Sequence, residues 1–233
     1  ATPHAWLWLS ISGLVGFTFG DLCLFRAFVL IGPRLSMLLM SLAPLFTVLI
    51  GWGVLGEKLA PRDLVGMALT VAGVGWAVLD RQPAGVARRE VPVWGLVLGA
   101  GGALGQAGGL VLSKLGMGGY DPFAATQVRV LAGMAGYVIL MTVLGAWPRV
   151  CAAVRDRGAM GYAAVGSFFG PFLGVSLSLI SVQLILAGVA ASLMAITPVL
   201  IIPVVVLLRR EHVGIGGVLG ALLAVAGVVL LFL

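Results

Sequence analysis

Charge is scarce in this chain. Aspartate, glutamate, lysine and arginine together make up 9% of its 233 residues, against about a quarter in soluble domains. Hydrophobic residues make up 61%, so too few charges remain to cover a soluble fold of this size. Carboxylates are the scarcest, eight against fourteen Lys and Arg, for a net charge of +6. In a soluble protein that balance would point to nucleic acid. Here the basic residues sit in short loops, and no stretch interleaves them with aromatics along a surface that could follow phosphates, so no nucleic-acid partner is expected. The two cysteines, Cys23 and Cys151, lie far apart and lack metal-ligand spacing, which argues against a disulfide framework and a metal site. His4 and His212 are isolated. There is no Gly-Lys-Ser/Thr phosphate loop, no Ser/His/Asp set and no pair of carboxylates, so neither a cofactor nor enzymatic chemistry is expected.

What the chain has instead is long apolar runs. They cover 6–28, 35–55, 64–79, 91–112, 123–147, 160–182, 189–208 and 214–233. Each approaches or exceeds the ~20 residues that cross the hydrocarbon core as a helix. The expected fold class is therefore all-α integral membrane, with eight transmembrane helices. Glycine is abundant within them, as in helices that pack closely in lipid.

The sequence also repeats. A shift of 154 residues, without a gap, places Gly16 on Gly170, Gly20 on Gly174, Pro44 on Pro198, Glu57 on Glu211 and Gly73 on Gly227. Apolar composition would not align Pro with Pro and Glu with Glu in one register. The second repeat, 80–233, holds five helices; the first, 1–79, holds the equivalents of the last three. Two further helices are expected before Ala1, from a ten-helix, five-plus-five protein. Because five is odd, consecutive repeats enter the membrane with opposite orientation, the inverted-repeat pattern of secondary transporters, whose substrate site lies near mid-bilayer at the repeat interface.

Loop charge sets the expected orientation. Arg26, Arg34, Arg81, Arg88, Arg89, Arg149, Arg155, Arg157, Arg209 and Arg210 fall on one side, and only Lys58, Arg62 and Lys114 on the other. Positive-inside bias makes the Arg-rich side cytoplasmic, in a plasma membrane such as the bacterial inner membrane.

Few residues within the spans carry chemistry. Asp21 and Arg129 are ionisable at membrane depth, where such groups are costly and usually face the bundle interior or a water-filled cavity. Each could serve a cavity or a structural ion pair. Their expected depths differ by about 12 Å, which argues against a direct pair; Arg26 could be the nearer partner of Asp21. Gln106, Gln127 and Gln183 are candidate cavity or interhelical hydrogen-bonding groups. Pro44 and Pro198 should kink mid-span, either as gating hinges or as bends absorbed by packing. Glu57 and Glu211, at helix ends, could carry a coupling proton or, more simply, satisfy the amides that open the next helix. The small-residue stripes Gly66/Thr70/Gly73 and Gly216/Gly220/Ala224/Gly227 read as packing surfaces.

Gly32-Pro33-Arg34, Leu42-Ala43-Pro44, Leu55-Gly56-Glu57 and Gly66 with Ala72-Gly73-Val74, followed by Thr197-Pro198, Glu211 and Gly220 with Ala226-Gly227-Val228, give the whole chain a resemblance. It resembles EamA-type transporters of the drug/metabolite transporter superfamily. That resemblance implies ten helices in two inverted halves and export of small metabolites, amino acids or drugs. It also implies cytoplasmic termini, opposite to the loop-charge reading. The expected partners are the lipid bilayer, a small-molecule substrate and a coupling proton or ion, with a homodimer left open. A non-transporting membrane scaffold is the alternative.

Overall fold

A computed structural model of the chain describes residues 2–80, 92–196 and 215–232. Pro198, Glu211, His212, Arg81, Arg88, Arg89, Arg209 and Arg210 lie outside the described residues. Every regular element among those described is helical.

Helix α1 (Pro3–Gly13) opens on Thr2, whose Oγ1 accepts the Ala5 amide at 3.2 Å, with Pro3 in the first turn. It widens into a π-helical segment, Leu14–Asp21, and continues as α2 (Leu22–Met40). Gly32, at φ 80, turns the chain before Pro33, so that α2 belongs to two spans, Pro3–Pro33 and Leu35–Leu55. Only glycine adopts that dihedral cheaply. The second span is completed by α3 (Ala43–Leu55), which ends at Gly56 in the left-handed region. Then come α4 (Pro61–Asp80), α5 (Val93–Met117) and α6 (Pro122–Val143). Asp121 caps α6 by accepting the Ala124 amide at 2.8 Å, with Pro122 in the first turn. The fifth apolar run stops short of 147: Gly145 at φ 60 ends it, and Trp147–Val154 forms a separate short helix, α7, with no buried residue.

The sixth span, Arg157–Leu184, is built from α8 (Arg157–Ser167), a second π-helical segment (Phe168–Gly174) and α9 (Val175–Leu184). Helix α10 (Ala187–Ala195) begins the seventh, and α11 (Ile215–Phe232) is the eighth. Five described helices are long and apolar enough to cross a membrane by length and composition. Helices α4 and α11 are shorter, and the seventh run is described only through its first half. Large apolar side chains such as Val29, Leu49, Trp52, Ile139 and Leu184 point outward, as lipid-facing residues of an integral membrane protein do.

The repeat is visible in the backbone. The π-helical segments occupy equivalent positions, since Leu14 and Gly20 shift onto Phe168 and Gly174. Helix α2 ends at Met40 and α10 at Ala195, equivalent to within one residue. Helices α4 and α11, themselves repeat equivalents, pack backbone against backbone. A Cβ on Gly227 would come within 2.6 Å of the Gly66 carbonyl oxygen and the Thr70 nitrogen. A Cβ on Gly73 would meet Ala224 N and lie 2.6 Å from Gly220 O. Shifting Gly66, Thr70 and Gly73 by one repeat gives Gly220, Ala224 and Gly227, so the shift converts one set of contacts into the other. Residue numbers rise along α4 as they fall along α11; the pair is antiparallel and exchanges under a two-fold. Equivalent helices running in opposite directions are the mark of inverted repeats.

Elsewhere the described core is a cluster of Ala5, Leu9, Met117, Ala125, Val128, Leu179, Val182 and Ala190. It lies toward the end of the bundle where α1 begins and α5 ends.

Replacing Gly73 by Ala should lower stability in detergent by about 1–3 kcal/mol, because backbone atoms of α11 must move to admit one methyl. Gly53 has nothing near its missing Cβ, so Gly53→Ala should leave stability unchanged or raise it slightly. Unfolding midpoints of the two variants, measured side by side, check this opposite pair of signs.

Candidate functional site

A cavity of about 490 Å³ lies between the two sets of repeat-equivalent helices, a volume in the range of small-molecule sites. Phe17, Asp21 and Phe25 line it from the first span, and Pro171, Val175 and Ser178 from the sixth. Met37, Met40, Ser41, Ala43, Pro44 and Thr47 come from the second span, and Ala191, Met194 and Ala195 from the seventh. Helix α5 adds Gln106, Ala107 and Leu110, and α6 adds Arg129. The wall is mostly apolar, with few convergent polar groups.

Glycine brings Gln106 to Asp21. On α5, a Cβ on Gly105 would lie 2.6 Å from Gly20 Cα, and one on Gly109 would lie 2.9 Å from Gly16 Cα. The backbones of α5 and the first span therefore touch. Ser12 reinforces the contact, its Oγ 2.6 Å from both Gly109 O and Ser113 Oγ. At that separation Gln106 Nε2 donates to Asp21 Oδ1 at 2.9 Å. Asp21's partner is thus Gln106; Arg26 is exposed, and among the described residues it makes no ion pair with Asp21.

Arg129 is 4% exposed. Its guanidinium sits 5.0 Å from the centre of the Phe17 ring, a cation–π contact. Its Nε is buried with no hydrogen-bond partner, and among the described residues the side chain makes neither a hydrogen bond nor an ion pair. A Cβ on Gly13 would meet the Arg129 carbonyl, whereas one on Gly16 would lie 3.2 Å from Arg129 Nη2. The Arg129 backbone is therefore level with Gly13, eight residues or about 12 Å from Asp21 along the helix. Its side chain reaches about half that way. Two hydrogen bonds hold the π-helical segment against α6: Tyr137 Oη donates to Phe17 O at 3.0 Å, and Thr18 Oγ1 to Gly133 O at 3.3 Å.

The second span is broken, not merely bent, at Pro44. Helix α2 stops at Met40, residues 41–42 form a turn, and α3 restarts with Pro44 in its first turn. Proline has no N–H for the Met40 carbonyl. The Leu45 amide, which a continuous helix would aim at Ser41, bonds Leu42 O at 3.0 Å instead. Backbone carbonyls of Met40 and Ser41 are thus released beside the cavity. Pi-helical turns and broken helices recur at functional sites, and in membranes such irregular backbone is tolerated where it is buried in protein or lines a cavity.

The other two glutamines, candidates for the cavity or for hydrogen bonds between helices, lie away from the cavity. Gln127 is exposed on α6. Two residues span about 200° of helix, so with Arg129 inside, Gln127 must face out. Gln183 lies in the last turn of α9 and donates to the carbonyls of Tyr120 at 2.8 Å and Gly118 at 3.3 Å, tying down the α5–α6 turn.

Glu57 does not satisfy the helix next to it in sequence. Asp63 serves there, accepting the Ala60 amide at 2.9 Å. Glu57 instead caps α10, its Oε2 and Oε1 accepting the Ala187 amide at 2.9 and 3.2 Å. Its Oε1 is also 2.7 Å from Lys114 Nζ, and that amine donates to Ile185 O at 2.6 Å. By sequence Lys114 is only a loop charge. It sits in the last turn of α5, and its partner, on a distant element, leaves no local signal.

A sequence model of the EamA-like transporter family matches residues 1–79 and 93–233. No curated protein matches the chain. A solved structure titled only as the crystal structure of a protein is similar in fold: TM-score 0.65, 20% identity, covering 96% of this chain and 74% of that one.

The Glu57 side chain is 8% exposed and that of Lys114 23%, so removing one partner leaves a buried charge. Lys114→Met should cost about 3 kcal/mol. The double variant Glu57→Gln/Lys114→Met should recover most of that loss, since a neutral amide needs no counter-charge. Chemical unfolding of the single and double variants checks this; additive losses would contradict a buried ion pair.

Proposed function

The chain belongs to the EamA-like transporter family, and from that premise we propose that it is a secondary transporter moving small organic molecules by alternating access between its inverted halves. The observation carrying this reading is the cavity between the halves, which holds Asp21 and Arg129 beside a broken helix and two π-helical segments. A packing protein has little reason to hold charges at that depth, because each is costly in hydrocarbon.

The position of the cavity supports a particular state. Its lining runs from the middle of the spans toward Phe25 and Met37, the end carrying the exposed Arg26, Arg149, Arg155 and Arg157. The opposite end is filled by the cluster around Leu9, Met117 and Leu179. There Glu57 and Lys114 bind the end of the second span to α5 and to the turn before α10. With the Arg-rich end cytoplasmic, the conformation is closed outward, and the Glu57–Lys114 pair is the latch. Rocking about the two-fold at α4 and α11 would open the latched end and close the other. An ion or proton gradient supplies the energy, and export is the direction the family suggests.

The test is flux in proteoliposomes. Asp21→Asn and Arg129→Gln should each reduce flux of a transported solute at least tenfold while the protein still inserts and elutes as wild type. Unchanged flux in both variants would sink the assignment of the cavity.

A further inference from the structure

We propose that α7 and the first residue of α8 form a docking surface for anionic phospholipid headgroups at the Arg-rich face of the membrane. This surface lies apart from the cavity and does not depend on transport.

Helix α7 has eight residues, about 12 Å of helix against the ~30 Å of a hydrocarbon core, so it does not cross. It is nevertheless held at the boundary, because one long apolar helix ends at Val143 and the next begins at Arg157. Gly145, at φ 60, turns the chain out of α6. Trp147 Nε1 then donates back to Thr142 Oγ1, in the last turn of α6, at 3.1 Å. That bond sets the indole at the end of the fifth span, the depth that tryptophan favours in a bilayer.

Trp147, Val150, Cys151 and Val154 follow the i, i+3, i+4, i+7 spacing of a single helix face. With Trp147 turned to the end of the span, the other three face the lipid boundary with it. No residue of α7 or α8 is buried, so no described part of the protein covers this face. A helix with an apolar face flanked by arginine lies in the plane of the interface.

Charge selects the lipid. Arg149, Arg155 and Arg157 are all exposed, and among the described residues none of them is in an ion pair. The one carboxylate beside them, Asp156, is engaged in capping α8, its Oδ1 accepting the Ala159 amide at 3.0 Å. Arg155 falls about 80° round the helix from Trp147, and Arg157 opens the sixth span. Both guanidiniums therefore reach the headgroup layer, where their fork of donors matches phosphate oxygens. Arg149 lies about 200° from Trp147 and points into water. Each arginine at an anionic surface favours the docked state by about fivefold.

Cys151 is the probe. Its thiol is exposed while that of Cys23 is buried, so an environment-sensitive maleimide labels the full chain at one position, and Cys151→Ser should take no label. The labelled protein is placed in nanodiscs of phosphatidylcholine, with and without phosphatidylglycerol, and quenching by acrylamide, a neutral aqueous quencher, is measured. Phosphatidylglycerol should lower quenching about threefold, and high salt should abolish the difference by screening the headgroups. Arg155→Gln/Arg157→Gln should remove the effect, whereas Arg149→Gln should keep most of it. If the double variant fails to fold, the lipid and salt series on the wild type decides alone. Equal quenching in the two lipid mixtures overturns the proposal, as does an effect that survives in the double variant. A label quenched as freely as in water in both mixtures also overturns it, and leaves the face to a protein partner.

Discussion

In hydrocarbon an apolar side chain gains nothing by leaving lipid for a neighbouring helix, so association relies on close packing and on polar contacts across it. Close packing here means backbone against backbone. Gly105 and Gly109 meet Gly20 and Gly16 with no room for a methyl between them, and Gly73 and Gly227 do the same across the α4–α11 pair. The first contact sets how far α5 stands from the charge-bearing span, and therefore whether Gln106 reaches Asp21. The second places the two-fold. A larger side chain at any of these glycines would push helices apart by more than a hydrogen bond tolerates. The glycine-rich stretch of α5, so like a phosphate loop in composition, is a packing surface with a cavity at its edge.

Departures from α-helix have a pattern of their own. A π-helical turn inserts a residue and rotates the remainder of the helix about its axis, and the two such segments fall at equivalent positions of the two repeats. On α6, Tyr137 and Thr18's acceptor Gly133 steady the first of them. The break before Pro44 adds carbonyls without helical donors. Each of these irregular stretches contributes residues to the one cavity, so the same strain that weakens the spans locally also supplies the polar surface of the site.

Much of the fold is legible in sequence because membrane helices obey few rules. Length and apolarity mark the described spans, and the register of Gly, Pro and Glu marks the repeat. Asp21, Arg129 and Gln106 stand out because polar groups at depth are rare. The hidden features depend on geometry that local pattern does not encode. Gln127 and Arg129 are equally deep, yet only the rotation of α6 about its axis says which faces inward. The end of the fifth run at Gly145 is masked by Trp147, apolar but belonging to the next helix. Sequence marks Glu57 as a carboxylate able to cap a helix, but the nearest helix in sequence, α4, has its own acceptor in Asp63. The helix it caps is 130 residues away, and the lysine that completes the pair is on a third element. The π-helical turns leave no sequence trace beyond Gly16 and Gly20, which the repeat marks for another reason.

Symmetry and chemistry are divided between backbone and side chain. Met40 of the cavity wall has Met194 as its repeat equivalent, and both line the space; so do the pairs Phe17/Pro171, Met37/Ala191 and Ser41/Ala195. The positions are shared while the groups are not. The decisive case is Asp21, whose equivalent is Val175, itself a lining residue. A two-fold site with a carboxylate on each side would present two like charges to any ligand. Replacing one with valine leaves a single carboxylate, and Arg129 supplies the opposite charge from α6. On the proposed alternating-access reading, the backbone two-fold lets the halves exchange conformations at little energetic difference, while the unequal side chains make the cavity polar in one direction. A ligand held there is oriented end for end, which a symmetric wall could not do.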